Sequence, residues 1–437
     1  MDLDSSPITC SLTVNGGNAT TYNSGSLSQN YNNLIPGRTY GFGAADAQSG
    51  TTGIKFTFNF GQNPTFSGQV TEGTFTDSNG KGLFKYAPPT GFLALCDDNL
   101  PTPAVADPGK HFKTVLWKGN GTTGHAITGL GFKPDFVWIF NRDRATYKPV
   151  FDTIRGAKNM LRSNQTDAQG TFDTVLQSFD SDGFTVGNDG AHNADGERLS
   201  AWCWKAGGPA VTNNDGSASS LVSANQEAGF SIVKFTAQTS GSVTFGHGLG
   251  KKPAFWIWKD IGGTTGWYVY HQRMGASAWL QFDAVFATTG NTAAWGGVEP
   301  TTTVFTHGWG LANQNDVVMY IWAEIQGYSK FGNYTGNGDN NGPHVYCGFR
   351  PAWVLIKKKD GSGNENWRLF DSSRCPINQN DKHAVISTNG VESTETGIDL
   401  LSNGFKVRHN DGHQNQDGSE YIFAAFAESP FQTANAK

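Results

Sequence analysis

One feature constrains the fold of this chain more than any other: a segment of about one hundred residues occurs three times. Each copy carries the same landmarks in the same order: a glycine–proline–aromatic run, a turn ending in arginine, a glycine–aromatic pair and a late apolar run. They lie at 131–139, 151–155, 181–184 and 201–204, at 250–258, 270–273, 306–309 and 320–322, and at 348–356, 370–374, 402–405 and 423–426. Repetition of glycine, proline and aromatic positions indicates a copied fold rather than a copied reaction centre.

The residue types of the repeats favour strands. The chain has 56 glycines and 13% aromatic residues, but only 16% charged residues. Glycine and asparagine allow tight turns, whereas Phe, Trp, Thr and Val favour pleated, half-buried surfaces. In the first hundred residues, apolar side chains alternate with polar ones from Ile54 to Phe60, as in a strand with one buried face. The sequence therefore predicts an all-β protein.

The late apolar run of each copy, around Trp204, Trp322 and Phe426, shows no polar alternation. We expect this strand to be covered on both faces, and we assign the repeated Trp138 and Trp353 to the core with it. A proline opens a strand in every copy, where it costs no ladder hydrogen bond. We predict three related β-sandwich (jelly-roll-like) modules in series, at residues 111–210, 229–326 and 329–431, with a polar spacer at 211–217 between the first two.

The charge distribution argues against a nucleic-acid partner. The formal net charge is −5, and the longest basic run is 357–359. No stretch approaches the roughly 18 consecutive apolar residues that a membrane span requires. We expect neither nucleic-acid binding nor membrane insertion.

Two equivalent acid–base pairs invite a catalytic assignment. Asp152 with Arg155, and Asp371 with Arg374, lie in matching places of copies one and three. Copy two has His271 there, which favours a buried polar contact that holds a loop over a tuned general acid. Paired carboxylates for glycoside hydrolysis stay open as an alternative, because their separation depends on the fold.

No pattern predicts a metal or a cofactor. Asn337, Asp339 and Asn341 imitate the start of a calcium loop, but Gly348 stands where the bidentate acid is required. Zinc-ligand spacing and a nucleophile elbow are both missing. We predict no catalytic residues, no metal and no cofactor.

One group of aromatics could contact a ligand. Copy two is the most divergent copy, and its aromatic residues are bordered by Asn, Gln and Thr, as a sugar ring requires. The alternative is packing, because Trp279 aligns with the apolar Met160. The candidate glycan-binding residues are Trp267, Tyr268, Trp279 and Trp295.

Three stretches resemble a known repeat family. Residues 327–338, 348–354 and 425–431 are similar to repeats of tailed-bacteriophage virion proteins, common in phages of marine bacteria and cyanobacteria. The likeness covers residues 111–431. It implies a tail fibre or tail-associated structural protein, and it carries no catalytic residues with it.

The N-terminal part, residues 1–104, resembles the second half of a SPRY-like β-sandwich, through residues 1–4 and 86–96. This resemblance implies an incomplete sandwich with a bare sheet edge, which is a site for pairing with another chain. We expect a neighbouring subunit or a second virion protein to cover that edge.

The resemblance leads to a functional expectation: a structural virion protein, assembled in the host cytoplasm, that serves as a tail fibre or adhesin and contacts envelope polysaccharide. Its expected partners are other virion proteins, a host glycan or receptor, and further copies of itself, a trimer by analogy with other fibres. Two alternatives remain: a capsid decoration or baseplate protein without a receptor, and a tailspike-like depolymerase.

Overall fold

The fold is all-β, as predicted: 42% of residues lie in strands and 3% in helices. A computed structural model describes residues 65, 71–99, 103–285, 289–290, 294–311, 313–360 and 365–429. The chain forms two compact units, 1–102 and 103–437. In the first unit, Phe75 and Phe84 pair in an antiparallel bridge, and a 3-10 turn spans Asp97–Asn99. Most of the N-terminal segment that resembles a SPRY-like sandwich, with its predicted strand at 54–60, lies outside the described residues.

Module 1 is a two-layered sandwich. Its larger sheet has the order β1-β9-β3-β4-β5-β6 and its smaller sheet the order β2-β8-β7. The described residues contain no helix long and apolar enough to cross a bilayer. The elements are a 3-10 turn (Pro108–Lys110), β1 (Phe112–Lys118), β2 (His125–Thr128), β3 (Phe136–Asn141), β4 (Pro149–Asp152), β5 (Asn159–Arg162), β6 (Gly170–Thr171), β7 (Leu176–Asp180), β8 (Gly183–Val186), α1 (Gly190–Asn193) and β9 (Arg198–Trp204).

Module 2 has a larger first sheet and a smaller second one. The first has the order β10-β11-β12-β19-β14-β15-β16-β17, and the second pairs β13 with β18. Its strands are β10 (Val211–Asn213), β11 (Ser220–Asn225), β12 (Phe230–Thr236), β13 (Val243–Gly246), β14 (Pro253–Asp260), β15 (Tyr268–His271), β16 (Ala278–Gln281), β17 (Thr289–Gly290), β18 (Val304–His307) and β19 (Asp316–Ala323). The predicted polar spacer thus contains a strand, because β10 pairs with β11 at the edge of this sheet.

Module 3 joins both layers into one eight-stranded sheet of order β20-β27-β22-β23-β24-β25-β26-β21. The nine-residue strand β25 pairs with β24 of the first layer and with β26 of the second. The strands are β20 (Ser329–Thr335), β21 (His344–Tyr346), β22 (Pro351–Lys358), β23 (Arg368–Asp371), β24 (Asn380–Val385), β25 (Ser393–Leu401), β26 (Gly404–Val407) and β27 (Glu420–Ala427).

The three modules share one topology. The orders β1-β9-β3-β4-β5, β12-β19-β14-β15-β16 and β20-β27-β22-β23-β24 are the same arrangement. A proline heads β14 and β22 as predicted, whereas in module 1 Pro134 lies two residues before the start of β3. The register also repeats, since Phe136 pairs with Trp204 and Phe255 with Trp322. Trp353 pairs with Phe426 in the third copy. The repeated sequence landmarks therefore mark repeated structure.

The central strands of each large sheet are buried on both faces, which explains the apolar runs without alternation. In β3, Val137 and Ile139 face the core of module 1. The alternate residues Phe136, Trp138 and Phe140 face a second core, to which all three modules contribute. The expected second cover of these strands is therefore supplied by the neighbouring modules.

The shared core is aromatic. The ring centroid of Trp204 lies 5.7 Å from that of Trp322 of module 2 and 5.7 Å from that of Trp353 of module 3. A residual cavity of about 10 Å³ lies among these rings, and such a space is too small for a ligand. The modules follow one another in sequence, but they fold around one common centre. The residues that surround the small cavity at this centre include Phe136, Trp204, Phe255, Trp322, Trp353 and Phe426.

Candidate functional site

The acid of module 1 belongs to a contact with module 2. Asp152 is fully buried, and its Oδ2 accepts hydrogen bonds from Arg155 Nε (2.5 Å) and from Tyr320 Oη of β19 (2.7 Å). Its Oδ1 accepts from the backbone N–H of Arg155 (2.9 Å). Oδ1 therefore holds the turn that follows β4, while Oδ2 joins that turn to the neighbouring module.

Module 3 repeats the contact against module 1. Asp371 Oδ2 accepts from Arg374 Nε (2.5 Å) and from Trp202 Nε1 (3.0 Å), and the side chains of both Asp371 and Arg374 are buried. Trp202 occupies in β9 the place that Tyr320 occupies in β19, as the strand registers show. The same polar contact is thus made with an indole in place of a phenol.

Module 2 makes the corresponding contact with a neutral histidine. His271 Nδ1 accepts from the backbone N–H of Arg273 (3.1 Å), so the proton lies on Nε2, which donates to the carbonyl oxygen of Phe423 (3.1 Å). Burial lowers the pKa of His271 to about 4. Ala424 stands at the Tyr320 position and offers no polar side-chain atom. The three contacts run from module 1 to 2, from 2 to 3 and from 3 to 1, and they close a ring.

A second set of contacts crosses the same boundaries. The buried Lys259 of module 2 donates from Nζ to three carbonyl oxygens, including that of Thr166 in module 1 (2.9 Å). Lys357, at the same position in β22, donates to the carbonyl oxygen of Val285 in module 2 (2.8 Å). Burial lowers the pKa of Lys259 to about 8 and that of Lys357 to about 7, while the carbonyl oxygens favour the ammonium.

In module 1 the lysine and the aromatic residue of this strand pair have changed places. Phe140 stands where Lys259 and Lys357 stand, whereas Lys148 stands where modules 2 and 3 have tryptophan. The ammonium of Lys148 lies 5.3 Å from the Phe140 ring centroid and donates to the carbonyl oxygens of Thr388 and Gly390 in module 3. Each boundary therefore holds a buried lysine ammonium. It comes from the central strand in modules 2 and 3, and from the residue just before β4 in module 1.

The boundary between modules 1 and 3 has no peptide linker and carries an extra ion pair. Arg142 donates from Nε and Nη2 to the two carboxylate oxygens of Glu392 (2.9 and 2.8 Å), and both side chains are largely buried. The backbone N–H of Glu392 donates back to the carbonyl oxygen of Arg142 (3.0 Å). This bidentate pair joins the first module to the last.

Two of the four predicted glycan-binding residues are buried. Trp267 is 1% exposed and belongs to the shared core; its Nε1 donates to the carbonyl oxygen of Arg162 in module 1 (2.8 Å). Trp295 is 1% exposed, packs in the core of module 2 and donates to the carbonyl oxygen of Ala278 (3.0 Å). In this structure neither indole is open to a ligand, so the packing alternative holds for these two.

The other two lie together at the surface with a tryptophan that the prediction missed. Ring centroids of Tyr268 and Trp279 are 5.0 Å apart, and Trp309 lies 4.3 Å from Tyr268 and 5.6 Å from Trp279. All three side chains are half-buried. We call these three residues the aromatic edge of module 2.

Trp309 was missed because the sequence landmarks were aligned four residues out of register. The repeat predicts that Trp309 matches Phe184 and Phe405. In the structure β18 places Phe305 there instead, paired with Phe245 as Phe184 pairs with Ile127. Trp309 follows the strand and packs beside the edge instead of inside the sandwich. Gly308 precedes Trp309 whereas Val304 precedes Phe305, so the glycine–aromatic pair pointed to the wrong ring.

The same edge has other chemistry in module 3. Strand registers place Arg368 at the Tyr268 position. Two residues after the end of the matching strands β18 and β26, His409 stands where module 2 has Trp309. Arg368 Nη2 donates to Asp411 Oδ2 (2.6 Å) and lies 3.2 Å from Glu395 Oε2. An aromatic cluster in one module thus corresponds to an ionic cluster in the next.

A larger cavity, of about 710 Å³, opens between modules 1 and 2. Two acids line it. Asp135 accepts from Thr153 Oγ1 (3.0 Å) and from the backbone N–H of Ala206 (2.8 Å), and burial raises the pKa of its carboxyl group. Glu227 is about half exposed and lies 3.6 Å from His111. Asp135 therefore links the segment that follows β9, through Oδ2, to the turn that follows β4, through Oδ1.

Among the described residues, no group of three or more His, Cys, Asp or Glu side chains is placed to hold a metal ion. The calcium-like stretch forms a turn. Asn415 donates from Nδ2 to the carbonyl oxygen of Asp339 (2.7 Å), and the backbone N–H of Asn341 donates to the Asp339 carboxylate (2.7 Å).

Comparison with known proteins places the three modules in a family. Residues 107–430 match a family described as a domain of unknown function, DUF7483. The chain belongs to this family. One match spans all three modules, so the DUF7483 domain corresponds to the whole ring and not to a single copy. No curated protein and no solved structure matches the chain.

Proposed function

We propose that this DUF7483 protein is a structural, non-catalytic virion protein of a tailed bacteriophage, a tail fibre or adhesin that contacts envelope polysaccharide on the host. The observation that carries the non-catalytic part is the use made of the repeated polar residues. Asp152, His271 and Asp371 each use one side-chain atom to hold their own turn and the other to contact a neighbouring module. Residues committed in this way stabilise a rigid body and are not free to act on a substrate.

Rigidity suits a display role. Three sandwiches around one aromatic centre present their edges in a set arrangement, so that little conformational freedom is lost on contact with a surface. Copies of the chain in one virion would add weak contacts into strong attachment, since multivalency raises avidity by roughly 10² to 10⁴. The tailed-phage assignment rests on the sequence resemblance, and the partners proposed with it are other virion proteins and further copies of the chain.

Locating the protein on purified phage particles tests this proposal most directly. With gold-labelled antibody against residues 107–430, we expect label on the tail or its fibres. Label on the capsid or baseplate alone would favour a decoration or baseplate protein, and unlabelled particles would refute the virion role.

A turnover assay tests the non-catalytic part. The full chain, incubated with host envelope polysaccharide, should release no new reducing ends above those of a heat-denatured sample. Steady release of reducing ends that stops in an Asp135→Asn variant would identify a depolymerase acting in the cavity between modules 1 and 2.

A further inference from the structure

We propose that the aromatic edge of module 2 binds an uncharged sugar residue, with the indole of Trp309 as the main stacking surface. This inference rests on the proposed contact with envelope polysaccharide. It adds a ligand class and a residue that the repeat pattern did not reveal.

Trp309 is held as a supported ring. It lies 4.3 Å from Tyr268 and 5.6 Å from Trp279, and the buried Trp258 lies 6.3 Å away with a nearly parallel ring. A half-buried indole with ring neighbours is restrained while part of it still faces solvent. Sugar rings present C–H faces, which pack against such an aromatic surface.

Polar groups that suit sugar hydroxyls border the rings. Gln281 lies opposite Tyr268 in the strand pair, and Asp283 follows two residues later. Gly266 stands between them: a Cβ there would lie 2.1 Å from Gln281 Nε2 and 3.2 Å from Asp283 Oδ1. A side chain at position 266 would push the Gln281 amide aside, so the glycine leaves room for the amide and the carboxylate beside the strand pair that holds Tyr268. An amide donor and a carboxylate acceptor beside aromatic rings match a hydroxyl-rich ligand.

The charges favour an uncharged ligand. In the part of module 2 that the structure describes, the cations at this end of the large sheet are Lys234 and Lys259. Lys234 pairs with Asp316 (2.6 Å), and Lys259 is buried against carbonyl oxygens. A uronate or phosphate group would meet Asp283 without a free cation to balance it, whereas a neutral hexose needs none.

The site is confined to one module. At the Tyr268 position module 1 has Pro149 and module 3 has Arg368; at the Trp309 position they have Asn188 and His409. The inference therefore predicts one sugar site for each chain.

Affinity electrophoresis of the full chain tests the proposal. Gels contain a neutral glucan, a neutral mannan, a neutral galactan or an acidic polyuronate. We expect at least one neutral polymer to retard the wild-type chain more than the polyuronate does. Trp309→Ala should weaken that binding roughly tenfold, as loss of a central aromatic anchor does, and Trp309→Phe should weaken it less.

Trp117→Ala is the matched control, because Trp117 is also half-buried but packs against Phe184 in module 1. Its binding should equal that of the wild type. Unfolding midpoints of all variants exclude loss of the fold as the cause.

Three results would overturn the inference: no retardation by any neutral polymer, tighter binding to the polyuronate, or unchanged affinity in Trp309→Ala. Its failure is separate from that of the proposed function. If gold label lies on the tails but Trp309→Ala binds neutral polymers as the wild type does, only the sugar site is refuted. If Trp309→Ala loses binding but the particles carry no label, only the virion role is refuted.

Discussion

The inner faces of the three large sheets and the edges of their sandwiches have diverged to different extents. Phe136 and Phe255 occupy the same inner place, and Trp353 replaces them with another aromatic ring. At the edge, Tyr268 of module 2 corresponds to the charged Arg368 of module 3. These central positions pack against two other modules at once, so their size and polarity are constrained from several directions, whereas inner positions at the module contacts vary, as Tyr320 and Ala424 do. Edge positions face solvent on one side and can acquire new chemistry, which makes the edges the place to look for recognition.

Removing the carboxylate of Asp152 should have the largest effect on the stability of the protein. Asp152→Ala leaves the guanidinium of Arg155 buried without its carboxylate, so we expect a loss of about 3–5 kcal/mol in the free energy of unfolding, measured with denaturant. His271→Ala removes a neutral group from the equivalent place and should cost less, about 1–3 kcal/mol.

Asp173→Ala provides the control, because Asp173 pairs with Lys158 on the surface. It should leave the unfolding curve unchanged. Equal losses for Asp152→Ala and Asp173→Ala would contradict the view that the repeated pairs hold the ring together.

The exchange of Phe140 and Lys148 can be tested by a double-mutant cycle. Phe140→Lys places a second ammonium beside Lys148, and Lys148→Trp removes the one that the boundary holds. Each single change should destabilise the protein. The double variant recreates the Lys–Trp pattern of modules 2 and 3, so we expect it to be more stable than the sum of the singles by about 1–3 kcal/mol. Simple additivity would show that the two sites are independent.

The boundary lysines should make stability depend on pH. Burial lowers the pKa of Lys148 and Lys357 to about 7 and that of Lys259 to about 8, against 10.5 in the unfolded chain. Between about pH 7 and pH 10.5 the unfolded chain binds more protons, so the free energy of unfolding should rise with pH in that window and level off below it. Denaturant unfolding at pH 7.5, 8.5 and 9.5 measures the slope. Lys259→Met should reduce the slope, and an unchanged slope would exclude Lys259 as a source.

The smallest effect on stability should come from the aromatic edge. Trp309→Ala removes a half-buried ring outside the sandwich, so we expect a loss of about 1 kcal/mol, near the average for single substitutions. A loss as large as that of Asp152→Ala would place Trp309 with the inner core and weaken the contrast between core and edge.

Local patterns predicted much of the fold. The prolines that head β14 and β22, the apolar run of β19 and the three-fold repeat of landmarks, apart from the glycine–aromatic pair of copy two, correspond to observed strands and topology. These features depend on backbone chemistry and on residues close in sequence. The site was less predictable. Trp267 and Trp295 have the composition of a binding surface but are buried, since whether a tryptophan is exposed depends on what packs over it.

The amino-acid sequence alone determined that this chain is built from strands, that one fold occurs three times and that its repeated letters belong to packing and turns. Only the tertiary structure decided that the copies surround one core, that Asp152 reaches Tyr320 across 168 positions, and that Trp309 belongs to a surface. Strand formation follows from neighbouring residues, whereas contacts between modules join residues that are far apart in the sequence and leave no local pattern.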